Sequence, residues 1–294
     1  MNRGDRREPI FKDDADRGCF LETLAGACGK TGWQIHAFCL MPNHFHLVVE
    51  TPQANLVAGM KWLLGTYTGR FNRRHKLFGH LFSGRYKALI VDGSGDGYLK
   101  TVCDYVHLNP VRAKMIPPRQ KLAGYRWSSF PAYLNPARKR PPWLRVDRLL
   151  GEHGIPKDSS AGRREFGRRM ETGRPEQPGE WKQVRRGWYL GDKTFRKELL
   201  AQMHERRGPN HYGEERFESD EEKAERIVRE ELKRRGWAET ELQERAKGDK
   251  HKVAIARRLR QETTMTLRWI AGRLAMGGGN NVFNLLAAQR RAKP

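Results

Sequence analysis

Two histidines separated by one residue form the most chemically suggestive feature of the sequence. His44 and His46 stand in the run HFHLVVE, whose β-rich composition predicts a strand. Because side chains alternate between the faces of a strand, both imidazoles project from one face, and Phe45, Leu47 and Val49 project from the other. Two neighbouring imidazoles can chelate one divalent ion. Taken alone, the spacing favours the alternative, a pair of surface or satisfied histidines.

A tyrosine and an asparagine share one side of a predicted helix. The run YLKTVCDYVHLNP predicts a helix from Tyr98 to Asn109, because Pro110 disfavours the helical conformation of the residue before it. Tyr105 and Asn109 are four residues apart and therefore project together. A phenol can act as a covalent nucleophile, and an amide oxygen can complete the coordination of an ion. Taken singly, they are consistent with an ordinary core-edge tyrosine and a helix terminator.

The segment from Thr66 to Lys87 combines basic and aromatic residues and contains no acidic residue. Basic side chains follow phosphates and aromatic rings stack on unpaired bases, so the segment predicts a surface for single-stranded DNA. The predicted DNA-binding residues are Arg70, Arg73, Arg74, Lys76, Arg85 and Lys87. Its aromatic residues can also belong to a core, and this interpretation is preferred for Tyr67 and Phe71.

The elements that must position these side chains predict an α+β fold. The sequence predicts six elements in order: a helix at residues 15–30, strands at 33–41 and 44–50, a helix at about 55–74, a strand at 84–91 and the helix at 98–109. This order places helices against an antiparallel sheet. We predict a catalytic domain at 1–134, a basic linker rich in Pro and Gly at 135–180, and a helical extension at 181–294.

The end of the chain predicts a helix-turn-helix at about residues 264–288. Residues 251–294 contain nine Lys or Arg and one Glu, and nine minus one gives a charge of +8. A second nucleic-acid surface, for duplex DNA, is therefore expected here. A solvated basic tail is the alternative. Three consecutive glycines, 277–279, argue against an ordinary recognition helix because glycine is a poor helix former.

Composition points to a polyanionic partner. The 294 residues include 57 Lys and Arg against 34 Asp and Glu, a formal charge of +23, with a sequence pI near 10.3. No apolar run is long enough to span a bilayer, and the mean hydropathy is -0.82, so no membrane association is expected. The absence of an apolar signal sequence predicts a cytoplasmic, nucleoid-associated protein. The four cysteines contain no C-x-x-C pair, which argues against both a zinc knuckle and a disulfide framework.

The motifs together resemble one family. FCLMPNHFHLVVETP, TYTGRFNRRHKLFGHLFSGRYKALIVD and YLKTVCDYVHLNPVRAKMI are similar to the single-tyrosine HUH transposases, in the branch called REP-associated tyrosine transposases. The resemblance covers residues 1–134 closely, and the terminal helices are similar to extensions found in some members. It implies a ferredoxin-like antiparallel sheet with helices on it.

The resemblance also implies roles for individual residues. His44 and His46 would be metal ligands, Asn109 the third ligand, and Tyr105 the nucleophile, with Mg or Mn as the ion. Tyr105 would attack a phosphate of single-stranded DNA at hairpin-forming repeats, leaving a 3′-hydroxyl and a 5′-phosphotyrosine. A non-catalytic DNA-binding remnant of such a transposase is the alternative, and a metal-dependent nuclease that releases free ends is a third. Relatives include monomers and homodimers, and both states stay open.

One departure concerns the first strand of the family's sheet. In relatives that strand precedes an NRG segment, whereas this chain begins MNRGDRREP, with only Met1 before that segment. We expect a truncated first strand and lower stability than a chain extended upstream, because a missing strand exposes edge groups. A misassigned start codon is the alternative.

Overall fold

A computed structural model describes residues 1–95, 97–174, 181, 184, 187–205 and 220–291. The first part of the chain forms four strands and four helices. Their bounds are β1 Asn2–Arg3, α1 Asp14–Thr31, β2 Gln34–Met41, β3 His44–Glu50, α2 Leu56–His75, β4 Ile90–Val91, α3 Tyr98–His107 and α4 Asn109–Arg112. Further helices follow at α5 Phe130–Tyr133, α6 Asp147–Glu152 and α7 Ser160–Thr172. The remaining elements are β5 Tyr189–Leu190, α8 Lys193–Glu205, α9 Asp220–Arg235, α10 Glu241–Glu244, α11 Lys250–Glu262, α12 Leu267–Arg273 and α13 Gly279–Arg291.

The chain divides into two compact units. The first comprises Met1–Thr23, Trp33–Glu50 and Leu64–Gly213, and the second comprises Leu24–Gly32, Thr51–Leu63 and Glu214–Pro294. The predicted mixture of helices with a small antiparallel sheet is confirmed, whereas the ferredoxin-like topology stays a prediction. Within the described residues, no helix is both long and apolar enough to cross a membrane.

The central sheet of the first unit has the order β1-β3-β2, with antiparallel pairing throughout. Strand β1 has only two residues, and its Arg3 lies opposite His44. The backbone beyond β1 continues this edge, because Gly4 bridges to Phe82 and the Ser83 amide donates to the Arg3 carbonyl at 2.9 Å. The irregular segment 82–87 therefore lies beside β1.

An aromatic core packs under this sheet. The rings of Phe20 and Phe45 lie 4.8 Å apart, and Tyr67 packs edge-on to Phe20 at 5.1 Å. The Tyr67 hydroxyl donates to the carbonyl of Ile10 at 2.6 Å, which satisfies the one polar atom of this buried ring. Tyr67 and Phe71 are buried, as their interpretation as core residues required.

Three elements differ from the sequence predictions. The strand predicted at 84–91 is reduced to Ile90–Val91, paired in parallel with β5. The helix predicted to reach Asn109 ends at His107, and Pro110 lies in the first turn of α4, where a missing amide costs nothing. The segment predicted as a linker at 135–180 contains α6 and α7. The basic composition of this segment predicted a linker, although each helix has a short apolar face. The buried residues of these faces are Leu149, Leu150, Phe166 and Met170.

The second unit has an apolar core formed largely by α9, α11, α12 and α13. The predicted pair of short helices is present as α12 and α13, joined by a turn in which Ala275 and Gly277 have φ of +49° and +84°. A left-handed φ favours glycine, so Gly277 belongs to the turn and does not weaken a helix. Assignment as a DNA-binding helix-turn-helix stays a prediction.

Candidate functional site

The two predicted imidazoles lie side by side on β3. His44 is paired with Arg3 of β1, and His46 is paired with Cys39 of β2. Their ring centroids are 5.1 Å apart, with an angle of 75° between the ring planes. Both side chains are half-buried. The alternation of strand side chains thus places the two rings on one face, as the spacing predicted.

Asn43 determines which nitrogen of His44 is available. The Asn43 side-chain amide donates to the Arg7 carbonyl at 3.0 Å, which turns its Oδ1 toward His44 Nδ1 at 2.8 Å. Because Oδ1 can only accept, the neutral ring must donate from Nδ1, and Nε2 keeps its lone pair. Hydrogen bonding of the second ring nitrogen is the usual way in which proteins orient a metal-binding histidine.

Burial keeps both imidazoles neutral. Desolvation, followed by the charge of Arg3, lowers the pKa of His44 to about 4. Desolvation and the neighbouring His44 lower the pKa of His46 well below its usual value. Only a neutral imidazole can bind a metal ion, so the protonation state at neutral pH is the one that a metal site requires.

Helix α3 brings the predicted nucleophile to this face of the sheet. Leu99, Val102, Cys103 and Val106 form its buried stripe, which leaves Tyr105 half-buried beside the sheet. The Tyr105 ring lies 5.8 Å from the His46 ring, at an angle of 73°. Within the described residues, the Tyr105 hydroxyl forms no hydrogen bond, so the phenol is held by packing rather than by a polar partner.

Arg112 packs directly on the tyrosine. Its guanidinium carbon lies 3.8 Å from the centroid of the Tyr105 ring, and its Nη2 donates to the Tyr105 carbonyl at 2.6 Å. The same Nη2 donates to Asn109 Oδ1 at 2.8 Å. Trp181 lies on the tyrosine as well, with ring centroids 5.7 Å apart. One cation therefore connects the two residues predicted from the i, i+4 spacing.

The predicted metal ligands fit a divalent ion in part. The two neutral imidazoles fit. Asn109 is buried and lies four residues after Tyr105 in the chain, but its Oδ1 already accepts a hydrogen bond from Arg112. A carbonyl oxygen has a second lone pair, so this contact leaves Asn109 able to accept once more. In the described part of the chain, no group of three or more His, Cys, Asp or Glu side chains is arranged to hold a metal ion. The predicted ligand set therefore consists of two imidazoles and one amide oxygen.

The six predicted DNA-binding cations have different surroundings. Arg74 is bound by the carboxylates of Asp13 and Asp16, both at 2.5 Å, and Arg70 lies 3.8 Å from Glu22. The other four, among the residues that the structure describes, form no ion pair and are exposed: Arg73, Lys76, Arg85 and Lys87. Their role in DNA binding stays a prediction.

Sequence reasoning missed Asn43, Arg112 and Trp181 as parts of this site. The position of Asn43 directly before His44 is the local signal that indicates their hydrogen bond. Arg112 is seven residues after Tyr105, a spacing of two helical turns that places both on one side. No sequence signal indicates Trp181, because its contact with Tyr105 depends on tertiary folding.

Comparison with known proteins finds one family model, which matches the N-terminal part of the chain. Residues 1–109 match the family model described as "Transposase IS200 like". The matched segment is little more than a third of the chain and includes His44, His46, Tyr105 and Asn109. No curated protein and no solved structure matches the chain. The match supports the transposase family for this N-terminal segment, and with it transposase activity in general terms.

Proposed function

We propose that this protein is a REP-associated, single-tyrosine transposase that cleaves and rejoins single-stranded DNA at hairpin-forming repeats. The observation that carries the proposal is the packing of the Tyr105 ring against His46 at 5.8 Å, with His44 a further 5.1 Å away. A phenol beside two neutral imidazoles supplies a nucleophile and metal-binding nitrogens in one place. The family match over residues 1–109 supports the same chemistry.

The proposed reaction is a transesterification. The Tyr105 oxygen forms a bond to phosphorus, and the bond from phosphorus to the 3′-oxygen breaks. The phenol loses one proton and the departing 3′-oxygen gains one, so the exchange consumes no water. The product is a 5′-phosphotyrosine and a free 3′-hydroxyl, and reversal with another 3′-hydroxyl rejoins the strand.

His44, His46 and Asn109 would hold Mg or Mn. When bound, such an ion polarises the scissile phosphate and neutralises charge that develops in the transition state. The chain itself supplies the arrangement: Asn43 fixes the His44 tautomer, and burial keeps both imidazoles deprotonated. Arg112 would restrain the Tyr105 ring and bring a fixed positive charge to a site that must accept a phosphodiester.

The test is adduct formation on a denaturing gel. End-labelled, hairpin-bearing single strands from the DNA flanking the gene are incubated with Mn or Mg, or with EDTA. We compare wild type with Tyr105→Phe and with Tyr98→Phe, which makes the same chemical change at the other end of α3. A metal-dependent, protease-sensitive adduct should form with wild type and Tyr98→Phe and be absent from Tyr105→Phe.

Two other results would contradict this proposal. Cleavage that persists in Tyr105→Phe would indicate a hydrolytic nuclease. Binding without cleavage by wild type would favour the alternative, a non-catalytic DNA-binding remnant. The contact of Arg112 with Asn109 Oδ1 favours this alternative, because one of the two lone pairs of the proposed ligand oxygen is already used.

The proposal extends to duplex DNA for the C-terminal helices. Asn280, Asn281 and Asn284 are exposed near the start of α13, and an asparagine side chain can form two hydrogen bonds with adenine in the major groove. A gel-shift titration with duplex DNA from the flanking repeats tests this part. Replacement of Asn280 and Asn284 by Ala should reduce sequence preference; unchanged preference would argue for contacts elsewhere.

A further inference from the structure

The loop after α2 is an ordered turn that presents a phenylalanine. The Leu77 amide donates to the Asn72 carbonyl at 2.9 Å, and the Asn72 side chain donates to the Gly79 carbonyl at 3.0 Å. Lys76 and Gly79 have φ of +53° and +89°, which reverse the chain on either side of Leu77 and Phe78. One asparagine thus clamps both ends of the loop tip.

Phe78 is almost entirely outside the protein. It is 99% exposed, whereas the next most exposed large hydrophobic residue in the described parts of the chain, Val57, is 73% exposed. The other phenylalanines of this segment, Phe71 and Phe82, are 2% and 9% exposed. Burial of a phenylalanine side chain stabilises a folded protein, so a clamped loop that holds Phe78 in solvent favours a contact with an external partner.

The surroundings of Phe78 are positively charged. Arg73, Lys76, Arg85 and Lys87 are exposed, and none of them forms an ion pair with any residue that the structure describes. No acidic residue occurs between 66 and 87. An apolar partner protein or a lipid would not by itself require these cations, whereas a single-stranded nucleic acid offers both phosphates and unpaired bases.

The backbone connects this loop to the histidine face. Phe78 is four residues from Phe82, so their Cα atoms are separated by at most about 14 Å. Phe82 bridges to Gly4, and the next residue, Ser83, is bonded to Arg3, which lies opposite His44. A strand crossing the exposed cations is thereby within reach of the face that carries His44 and His46.

We propose that Phe78 is a stacking platform for an unpaired base of the single-stranded DNA. This inference rests on the proposed function and names one contact of its substrate. The ring supplies contact with a base and the neighbouring cations supply contact with phosphates, so the two contributions should separate experimentally.

The experiment is a double-mutant cycle between the ring and the bases. All variants carry Tyr105→Phe, so binding is measured without covalent chemistry. Fluorescence anisotropy measures the Kd for labelled oligothymidylate and for an abasic oligomer of the same length and charge. Phe78→Ala should weaken binding of oligothymidylate about 5- to 150-fold and leave binding of the abasic oligomer unchanged.

Three controls decide between stacking and other causes. Phe78→Tyr should retain wild-type affinity, and Leu77→Ala, in the same turn, should change it less than about twofold. The salt dependence should be unaltered in Phe78→Ala, because no phosphate contact is lost. An equal loss on both oligomers, an equal loss in Leu77→Ala, or no loss in Phe78→Ala would overturn the proposal.

The outcome is independent of the proposed catalysis. If wild type forms the adduct and Phe78→Ala has the same effect on both oligomers, the transposase proposal stands and the stacking role is wrong. If Phe78→Ala weakens binding of oligothymidylate alone and wild type forms no adduct, the stacking role stands and the DNA-binding remnant is favoured. Failure of the protein to bind either oligomer would overturn the stacking role directly.

Discussion

Two regions of the molecule differ in how many of their basic side chains have carboxylate partners. In the segment 66–87, four of six cations are exposed and form no ion pair with described residues. In the helices after residue 219, several arginines are paired with glutamates, among them Arg258 with Glu230, Glu231 and Glu262, and Arg273 with Glu225 and Glu239. A formal charge therefore does not locate a nucleic-acid surface. The arrangement of the carboxylates decides which cations can meet phosphates.

Cations that contact the protein interior also differ between the two units. In the first unit, Arg112 holds a reactive side chain through its ring, carbonyl and amide contacts. In the second unit, Lys252 is fully buried and donates to the carbonyls of Leu242, Arg245 and Ala275. We expect the first to affect the reaction and the second to affect stability.

The largest effect is expected from Arg112. Arg112→Ala should slow adduct formation at saturating DNA about 100-fold, because Tyr105 and Asn109 lose their common partner and the site loses a charge. Arg112→Lys should recover only part of the rate, since an ammonium cannot reproduce a planar guanidinium. The single-turnover rate and the Kd are measured separately. Lys114→Ala, an exposed cation two residues on, is the control. An equal loss in the control, or a loss confined to Kd, would contradict this role.

The next largest effect is expected from Lys252, the buried cation that we expect to affect stability. Lys252→Ala should lower the free energy of unfolding by roughly 2 kcal/mol, because three carbonyls lose their donor. Urea unfolding followed by circular dichroism measures the change. Lys250→Ala removes an exposed charge from the same helix and should have little effect. If the two variants unfold alike, the buried ammonium is not a stabilising contact.

Matched double variants test the exposed and paired cations. Arg85→Ala with Lys87→Ala should weaken binding of single-stranded DNA roughly tenfold and reduce the salt slope by about 1.4. Arg258→Ala with Arg273→Ala removes the same charge but should change the Kd less than about twofold, because these guanidiniums are already compensated. Anisotropy titrations over a range of salt concentrations provide both quantities. Equal effects would mean that total charge, rather than its pairing, governs binding.

The smallest effect concerns the cysteines of the two compact units. Cys39 and Cys103 in the first unit and Cys28 in the second are buried, whereas Cys19 is half-buried. Burial raises the pKa of the Cys28 thiol to about 12 and suppresses the reactive thiolate. Ellman's reagent should therefore label one thiol quickly in the native protein and four after unfolding. Rapid labelling of a second thiol would show that one of the two cores opens.

Local pattern predicted the elements that carry the site with good accuracy. The alternation in HFHLVVE and the stripe of YLKTVCDYV identified β3 and α3, since each period reports which face meets the core. The end of α3 and the reduction of the strand at 84–91 were missed. Pro110 is compatible with the start of a helix as well as with its end, and the pairing of residues 82–87 with the N-terminus depends on β1.

The sequence by itself determined the residues able to do chemistry, because a strand period places His44 and His46 together and a helical period identifies the face of Tyr105. Only the tertiary structure decided which groups meet: Trp181 reaches Tyr105 from a distant segment, and Asp13 and Asp16 neutralise Arg74 from α1 and the residue before it. Periodicity reports orientation within one element. Contacts between elements that are distant in the sequence depend on how their faces pack, and a local sequence pattern does not predict that packing.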